Sequence, residues 1–222
     1  MIDNTGQIES LIEELSTISP NHVDIYLIGG GAMMYLGSKQ YTKDLDFVVC
    51  SEGEYNDLSD ALKRLGFVSD RPTDGMKKVN LSDTQKRDGY RIDLFYRKIC
   101  GQLQLTDSMR ERAQMIIDCD SVTLFSCAAE DIFLLKSVTE REGDVDDCNS
   151  LIVLASQFDW DSLVEEIIRQ MGFGESVWIT YVMERLERMK IDIRYPDVFN
   201  TLSLLEKEYL ERWADEFEKN LP

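Results

Sequence analysis

The chain has 222 residues, 43% hydrophobic and 30% charged, enough to bury the core of one α/β domain with a helical extension. A net charge of −18 argues against a surface built as a whole for nucleic acid, and no apolar run reaches membrane-spanning length. The scattered Cys50, Cys100, Cys119, Cys127 and Cys148, with His22 as the single histidine, argue against a zinc site; with no secretory signal they fit reduced thiols in a cytoplasmic protein.

In chain order, Ile8, Leu11, Ile12 and Leu15 predict a first helix. Val23 to Ile28 reads as a strand that runs into Gly29-Gly30-Gly31, and Ala32 to Leu36 opens a short helix. Asp44 to Val49 is a second strand, followed by an amphipathic helix over Tyr55 to Leu65. Gly66-Phe67-Val68 starts another strand. Gly75 to Leu81 and Tyr90 to Tyr96 predict a hairpin around a polar turn at Ser82 to Gly89. Two short apolar runs, Met115 to Ile117 and Val122 to Phe125, are read as further strands or as lining of the site entrance. From Ala128 onward the period is helical, with helices expected at Glu130 to Thr139, Asp144 to Ser156, Asp161 to Met171, Glu175 to Met189 and Leu202 to Lys219. The Met33-Met34 pair and Trp160, Trp178 and Trp213 read as core, and His22 as a surface residue.

The chemistry concentrates at the glycines and the strand after them. A strand-to-helix junction presents backbone N–H groups, and glycine lets an anion approach closely. In Asp44-Leu45-Asp46 the strand period of two puts both carboxylates on one face while Leu45 and Phe47 point into the core. Such a pair suits magnesium, which takes one or two protein carboxylates and completes its shell with water and phosphate oxygens. In Tyr90 to Tyr96, Asp93 is the one acid of a strand. Acids often blunt a sheet edge, but a glycine turn, paired acids and a third strand acid in this order favour a site. A P-loop is excluded because Gly37-Ser38-Lys39 has the wrong order and spacing, and a dinucleotide fingerprint fails at Met34, where its third glycine belongs.

With the glycine turn, the Asp-x-Asp strand and Asp93 in place, the chain resembles the nucleotidyltransferase superfamily. The runs Tyr41 to Asp46 and Glu130 to Lys136, then Asp144 to Asp147, look most like its minimal prokaryotic members of the abortive-infection and toxin–antitoxin type. The resemblance implies an α/β (α+β) fold, a mixed sheet flanked by helices, with a palm-like domain over residues 1–127 and a helical C-terminal region over 128–222. It further implies transfer of a nucleoside monophosphate from a nucleoside triphosphate to an acceptor hydroxyl on an RNA end, a protein or a small molecule. Asp44, Asp46 and Asp93 would be catalytic and hold one or two Mg2+ ions, and Asp93 would take the proton of the attacking hydroxyl. Gly29, Gly30, Gly31, Thr42 and Lys136 would bind the nucleotide, with Thr42 or Ser38 supplying the hydroxyl that the family's Gly-Ser turn carries and Gly-Gly-Gly lacks. Asp144 and Asp147 are candidates for the position beside Lys136, although acids at a helix N-terminus and a lysine stem lying over a core have common structural explanations.

Charge is unevenly spread. Residues 63–112 hold twelve basic against seven acidic side chains, and residues 130–222 hold ten against twenty-two. The first stretch could cradle triphosphate or RNA, though solvated turns explain it as well, and the second could dock a basic partner such as a small antitoxin. The alternative to an enzyme is a catalytically inactive module of the same fold that binds nucleotide or protein.

Overall fold

The computed structural model describes residues 1–70, 81–100, 103–139, 141–154 and 158–219. Helix α1 (Thr5–Ser16) turns Ile8, Leu11, Ile12 and Leu15 inward, and Asn4 caps it by accepting from the Gln7 amide. Strand β1 (Val23–Ile28), helix α2 (Gly29–Tyr35), strand β2 (Leu45–Val49) and helix α3 (Glu52–Arg64) follow. Ser51 and Glu54 close a capping box at the start of α3, so the chain passes from strand to helix within a few residues.

Next come β3 (Val68–Asp70), β4 (Leu81–Arg87), β5 (Tyr90–Tyr96), a short ribbon of β6 (Lys98–Ile99) and β7 (Leu103–Gln104), helix α4 (Asp107–Arg112), β8 (Gln114–Cys119) and β9 (Val122–Ser126). Seven strands pair in the order β3-β4-β5-β2-β1-β9-β8. β2 lies parallel to β5 and β1 parallel to β9, and the other pairs are antiparallel. This mixed sheet, packed by α1 and α3 and by α2, is the α+β class expected from the sequence.

Among the described residues, six helices follow the last strand: α5 (Ala129–Ser137), α6 (Gly143–Leu154), α7 (Trp160–Met171), α8 (Trp178–Arg188), α9 (Ile191–Arg194) and α10 (Pro196–Lys219). Ile132, Phe133, Leu134 and Leu135 are all buried, so α5 is enclosed on every side, as a helix packed against α2, α6, α7 and α8 must be. One core runs unbroken from Ile8 in α1 to Leu202 in α10.

Several expectations need correction. Ser82 to Gly89 is not a polar turn: most of it is β4, and only Asp88 and Gly89 make the bend, both at positive φ. The strand buries Asp83, Thr84 and Gln85 because each finds a partner: Ser69 donates to Asp83, Thr84 to Asp93, and Gln85 to both Asp83 and Ser59. The strand expected from Gly75 falls, up to Asn80, outside the described residues. The last helix begins at Pro196 rather than Leu202, since proline's fixed φ and missing N–H suit a first helical turn. Met33 and Trp178 are core, but Trp213 is 54% exposed and stacks on Phe217.

A buried ionic junction ties the end of α4 to the helices. The Arg112 guanidinium donates to Asp131 in α5 and to Glu166 in α7, whose side chains are both 1% exposed. Glu166 also accepts from Thr106 at 2.9 Å and Gln170 at 3.0 Å. Burial, opposed by Arg112, pushes the Asp131 carboxyl up to about 6. Arg112→Met should lower stability by roughly 3–5 kcal/mol, because it leaves two buried acids without their countercharge. Urea unfolding checks this, and a loss below about 1 kcal/mol, the ceiling typical of an exposed pair, would show that the junction carries little.

Candidate active site

β2 and β5 run side by side with Asp46 opposite Asp93. Residues in register on paired strands share a face, so both carboxylates leave the sheet on the same side, while Leu45 and Phe47 are buried on the other. Asp44, two residues before Asp46, joins them. The Arg91 guanidinium donates to Asp93 at 2.8 and 3.1 Å and stands 3.8 Å from an Asp44 oxygen. Thr84 donates to Asp93 at 2.8 Å from the neighbouring strand. The structure thus brings together the three acids singled out in the sequence, around a cation that the sequence reading passed over.

The glycines explain how the helix comes so close. Gly29 has φ +62°, and a Cβ there would lie 2.2 Å from Asp46 Oδ2. A Cβ on Gly30 would meet the Thr42 hydroxyl at 2.4 Å, and one on Gly31 would meet Leu27 and Leu45 at 2.9 and 3.0 Å. No side chain caps the start of α2. Thr42 is buried and its hydroxyl donates to the Asp44 carbonyl at 2.9 Å, while Ser38 donates to the Met33 carbonyl at 3.1 Å. Both hydroxyls that could replace the absent turn serine are therefore engaged by backbone.

Lys136 lies on α5 with its side chain 13% exposed, and its ammonium is 2.7 Å from both Asp144 and Asp147 of α6. Asp147 also binds Lys39 at 2.7 Å, and Thr139 donates to Asp144. The Asp147 carboxyl is held below its usual range: burial alone would raise it, but the hydrogen bonds from Lys136 and Lys39 outweigh that cost. The acids at the start of α6 thus hold lysines, beyond any general preference for the helix N-terminus. Lys39 belongs to the segment rejected as a P-loop, and its pairing across 108 residues left no local pattern to read.

Part of Asp46 stays accessible, yet its carboxyl is pushed up to about 7, first by burial and then by the charges of Asp44 and Asp93, against the pull of Lys136 and Arg141. That pull places Lys136 within electrostatic reach of the acids. Among the described residues no group of three or more His, Cys, Asp or Glu is arranged to hold a metal ion as the side chains stand. The donor chemistry still suits a hard cation, since Asp44 and Asp93 raise the cost of charging Asp46 and Arg91 occupies oxygens that a cation would claim.

A glycine turn is pressed on strand carboxylates, with Lys39 in the loop after α2 and Lys136 on the facing helix α5, both held by acids of α6. Residues 6–203 match the family described as "Nucleotidyltransferase of unknown function (DUF6036)", and the chain belongs to that family and is a nucleotidyltransferase. Among curated proteins none matches the chain. Two solved structures are similar to it in part. One is the solution structure of the antibiotic-resistance factor ANT(2'')-Ia, at 10% identity and TM-score 0.49, covering 76% of this chain and 93% of that one. The other is a crystal structure of ANT(2")-Ia in complex with adenylyl-2"-tobramycin, at 10% identity and TM-score 0.47, covering 75% and 97%.

Gly29→Ala should cost roughly 1–2 kcal/mol for the left-handed backbone and also displace the Asp46 carboxylate, so thermal unfolding should shift down while Gly37→Ala, with open space around it, pays only the backbone cost. Equal effects of the two would show that the Asp46 contact adds nothing. The raised Asp46 carboxyl gives a second expectation. Stability from this group is present below its ordinary 3.8 and is lost as pH rises through about 7. Asp46→Asn should therefore gain on the wild type across that window when unfolding is followed in a chelator, and a pH-independent difference would contradict the shift.

Proposed function

We propose that this nucleotidyltransferase moves a nucleoside monophosphate from a nucleoside triphosphate to an acceptor hydroxyl at the cleft between the sheet and helices α5 and α6. The observation that supports this most directly is the Asp46–Asp93 register, with Gly29 packed on the Asp46 carboxylate. Asp44, Asp46 and Asp93 would hold one or two magnesium ions, which when bound neutralise charge on the triphosphate. The backbone N–H groups of Gly29, Gly30 and Gly31 would face the phosphates, and Thr42 would fix the Asp44 loop beneath them. Lys136 and Lys39, oriented by Asp144 and Asp147, would act as point charges toward the same phosphates. Asp93 would accept the proton of the attacking hydroxyl. In this state Arg91 would release carboxylate oxygens to the cation and turn its own charge to the substrate.

The acceptor would be an RNA end, a protein or a small molecule, and a toxin-type role with a small protein partner fits the acidic helical region. No described helix is long and apolar enough to cross a membrane, and a cytoplasmic setting suits the five free thiols. A second reading, a catalytically inactive nucleotide-binding module, is favoured by one observation: Asp93 is already satisfied by Arg91 and Thr84.

The test offers α-labelled nucleoside triphosphates with magnesium to the full chain together with RNA, protein and aminoglycoside acceptors. Transfer should occur to one class and fall at least about 100-fold in Asp46→Asn and in Asp93→Asn, as expected when charge stabilisation of the transition state is removed. Triphosphate bound but never transferred by the wild type would establish the inactive module, and no binding at all would remove both readings.

A further inference from the structure

β2 and β5 end in a second concave region of about 350 Å3. Alternation continues the two acid-bearing rows of the sheet through Val48 to Cys50 and through Phe95 to Arg97, and both end residues line this cavity. At about 3.3 Å per residue, Cys50 lies roughly 13 Å along the strand from Asp46, so the cavity is distinct from the carboxylate cleft. Arg97 is joined here by Arg110 from α4 and Arg169 from the last turn of α7. In a chain of net charge −18, three guanidinium groups meet one lining carboxylate, Asp107, which pairs with Arg110.

Two of these cations have capacity to spare. Arg97 uses Nε on the Cys50 carbonyl at 3.0 Å, and its two terminal nitrogens have no hydrogen-bond partner among the described residues. The Arg169 side chain, exposed on α7, forms no ion pair among them. Arg97 also holds φ +59°, a left-handed conformation that costs a non-glycine residue, fixed by its amide donating to the Val49 carbonyl and its carbonyl accepting from the Leu105 amide. The fold keeps this strain and thereby places the guanidinium at the cavity. Phe173, 51% exposed, and half-buried Leu105 supply an apolar wall beside the charges.

We infer that this cavity binds a small phosphate monoester with an aromatic or apolar body, at a site separate from the carboxylates. Planar guanidinium forks match phosphate oxygens in pairs, and the Phe173 ring offers a face to the ligand's body. The occupant is a small molecule because the cavity holds only about 350 Å3, and residues 130–222 carry ten basic against twenty-two acidic side chains.

Titration calorimetry of the full chain with phenyl phosphate and with inorganic phosphate tests the assignment. Phenyl phosphate should saturate a single site and bind more tightly than phosphate. Arg169→Gln should weaken both by about tenfold, the scale of one charge-assisted contact, without unfolding the chain, since the side chain is exposed. Phe173→Ala should weaken phenyl phosphate alone, and Asp46→Asn should change neither. Absence of saturation at millimolar ligand, an unchanged affinity in Arg169→Gln, or an equal loss in Asp46→Asn overturns the site. A single-stranded oligonucleotide that displaces phenyl phosphate at far lower concentration, with steep salt dependence, overturns the small-ligand assignment in favour of an RNA path.

Discussion

Three carboxylates on one face of adjacent strands repel one another, and the rest of the cleft is arranged around that repulsion. Desolvation adds to it at Asp46, whose carboxyl is pushed up to about 7. The fold answers from two sides. Arg91, on the same strand and face as Asp93, spans Asp93 and approaches Asp44. Lys136 from α5 and Lys39 from the loop after α2 bring positive charge and are themselves held by Asp144 and Asp147, so neither lysine collapses onto the acids. Charges alternate in layers from sheet to helix. In the proposed reaction a triphosphate with its cation would add one anionic and one cationic layer to a stack that already alternates.

The local parts of this arrangement were legible in the sequence. Period two at the start of β2 placed Leu45 and Phe47 toward the core and required Asp44 and Asp46 to share the other face. The same rule applied to Arg91 and Asp93 would have found the guanidinium, but a basic residue beside an acid reads as a surface pair until the strand order is known. β4 was unreadable for a different reason. Its Asp83, Thr84 and Gln85 are polar, and only partners from β3, α3 and β5 make their burial affordable. The Lys39–Asp147 contact likewise joins residues 108 apart, so no window of sequence contains it.

The acidic excess is not spread evenly over function. Asp131 and Glu166 are used internally, where Arg112 binds α4 to α5 and α7, and Asp144 and Asp147 are used on the lysines. Several basic residues expected to face an anion are also committed: Lys86 pairs with Asp70, and Arg87 pairs with Glu14 and lies over the Phe67 ring. Lys77 and Lys78 lie outside the described residues. The cations at the cleft, Arg91, Lys39 and Lys136, are likewise paired with acids, whereas Arg97 and Arg169 at the arginine cavity form no ion pair among the described residues, so a net charge of −18 still leaves positive charge free locally.

The triple glycine shows how the hydroxyl of the usual Gly-Ser turn is dispensed with. A side chain at Gly30 would meet the Thr42 hydroxyl, and that hydroxyl is needed on the Asp44 carbonyl, where it fixes the residue leading into the acid strand. A serine at Gly29 would have to hold a left-handed backbone with its Cβ against the Asp46 carboxylate. Each glycine is thus dictated by what lies beneath it, and under the proposed function recognition at this turn would fall to backbone N–H groups and to Lys39 and Lys136. Such contacts read charge and shape but not the identity of a base. Selectivity among nucleotides must come from side chains farther along the cleft.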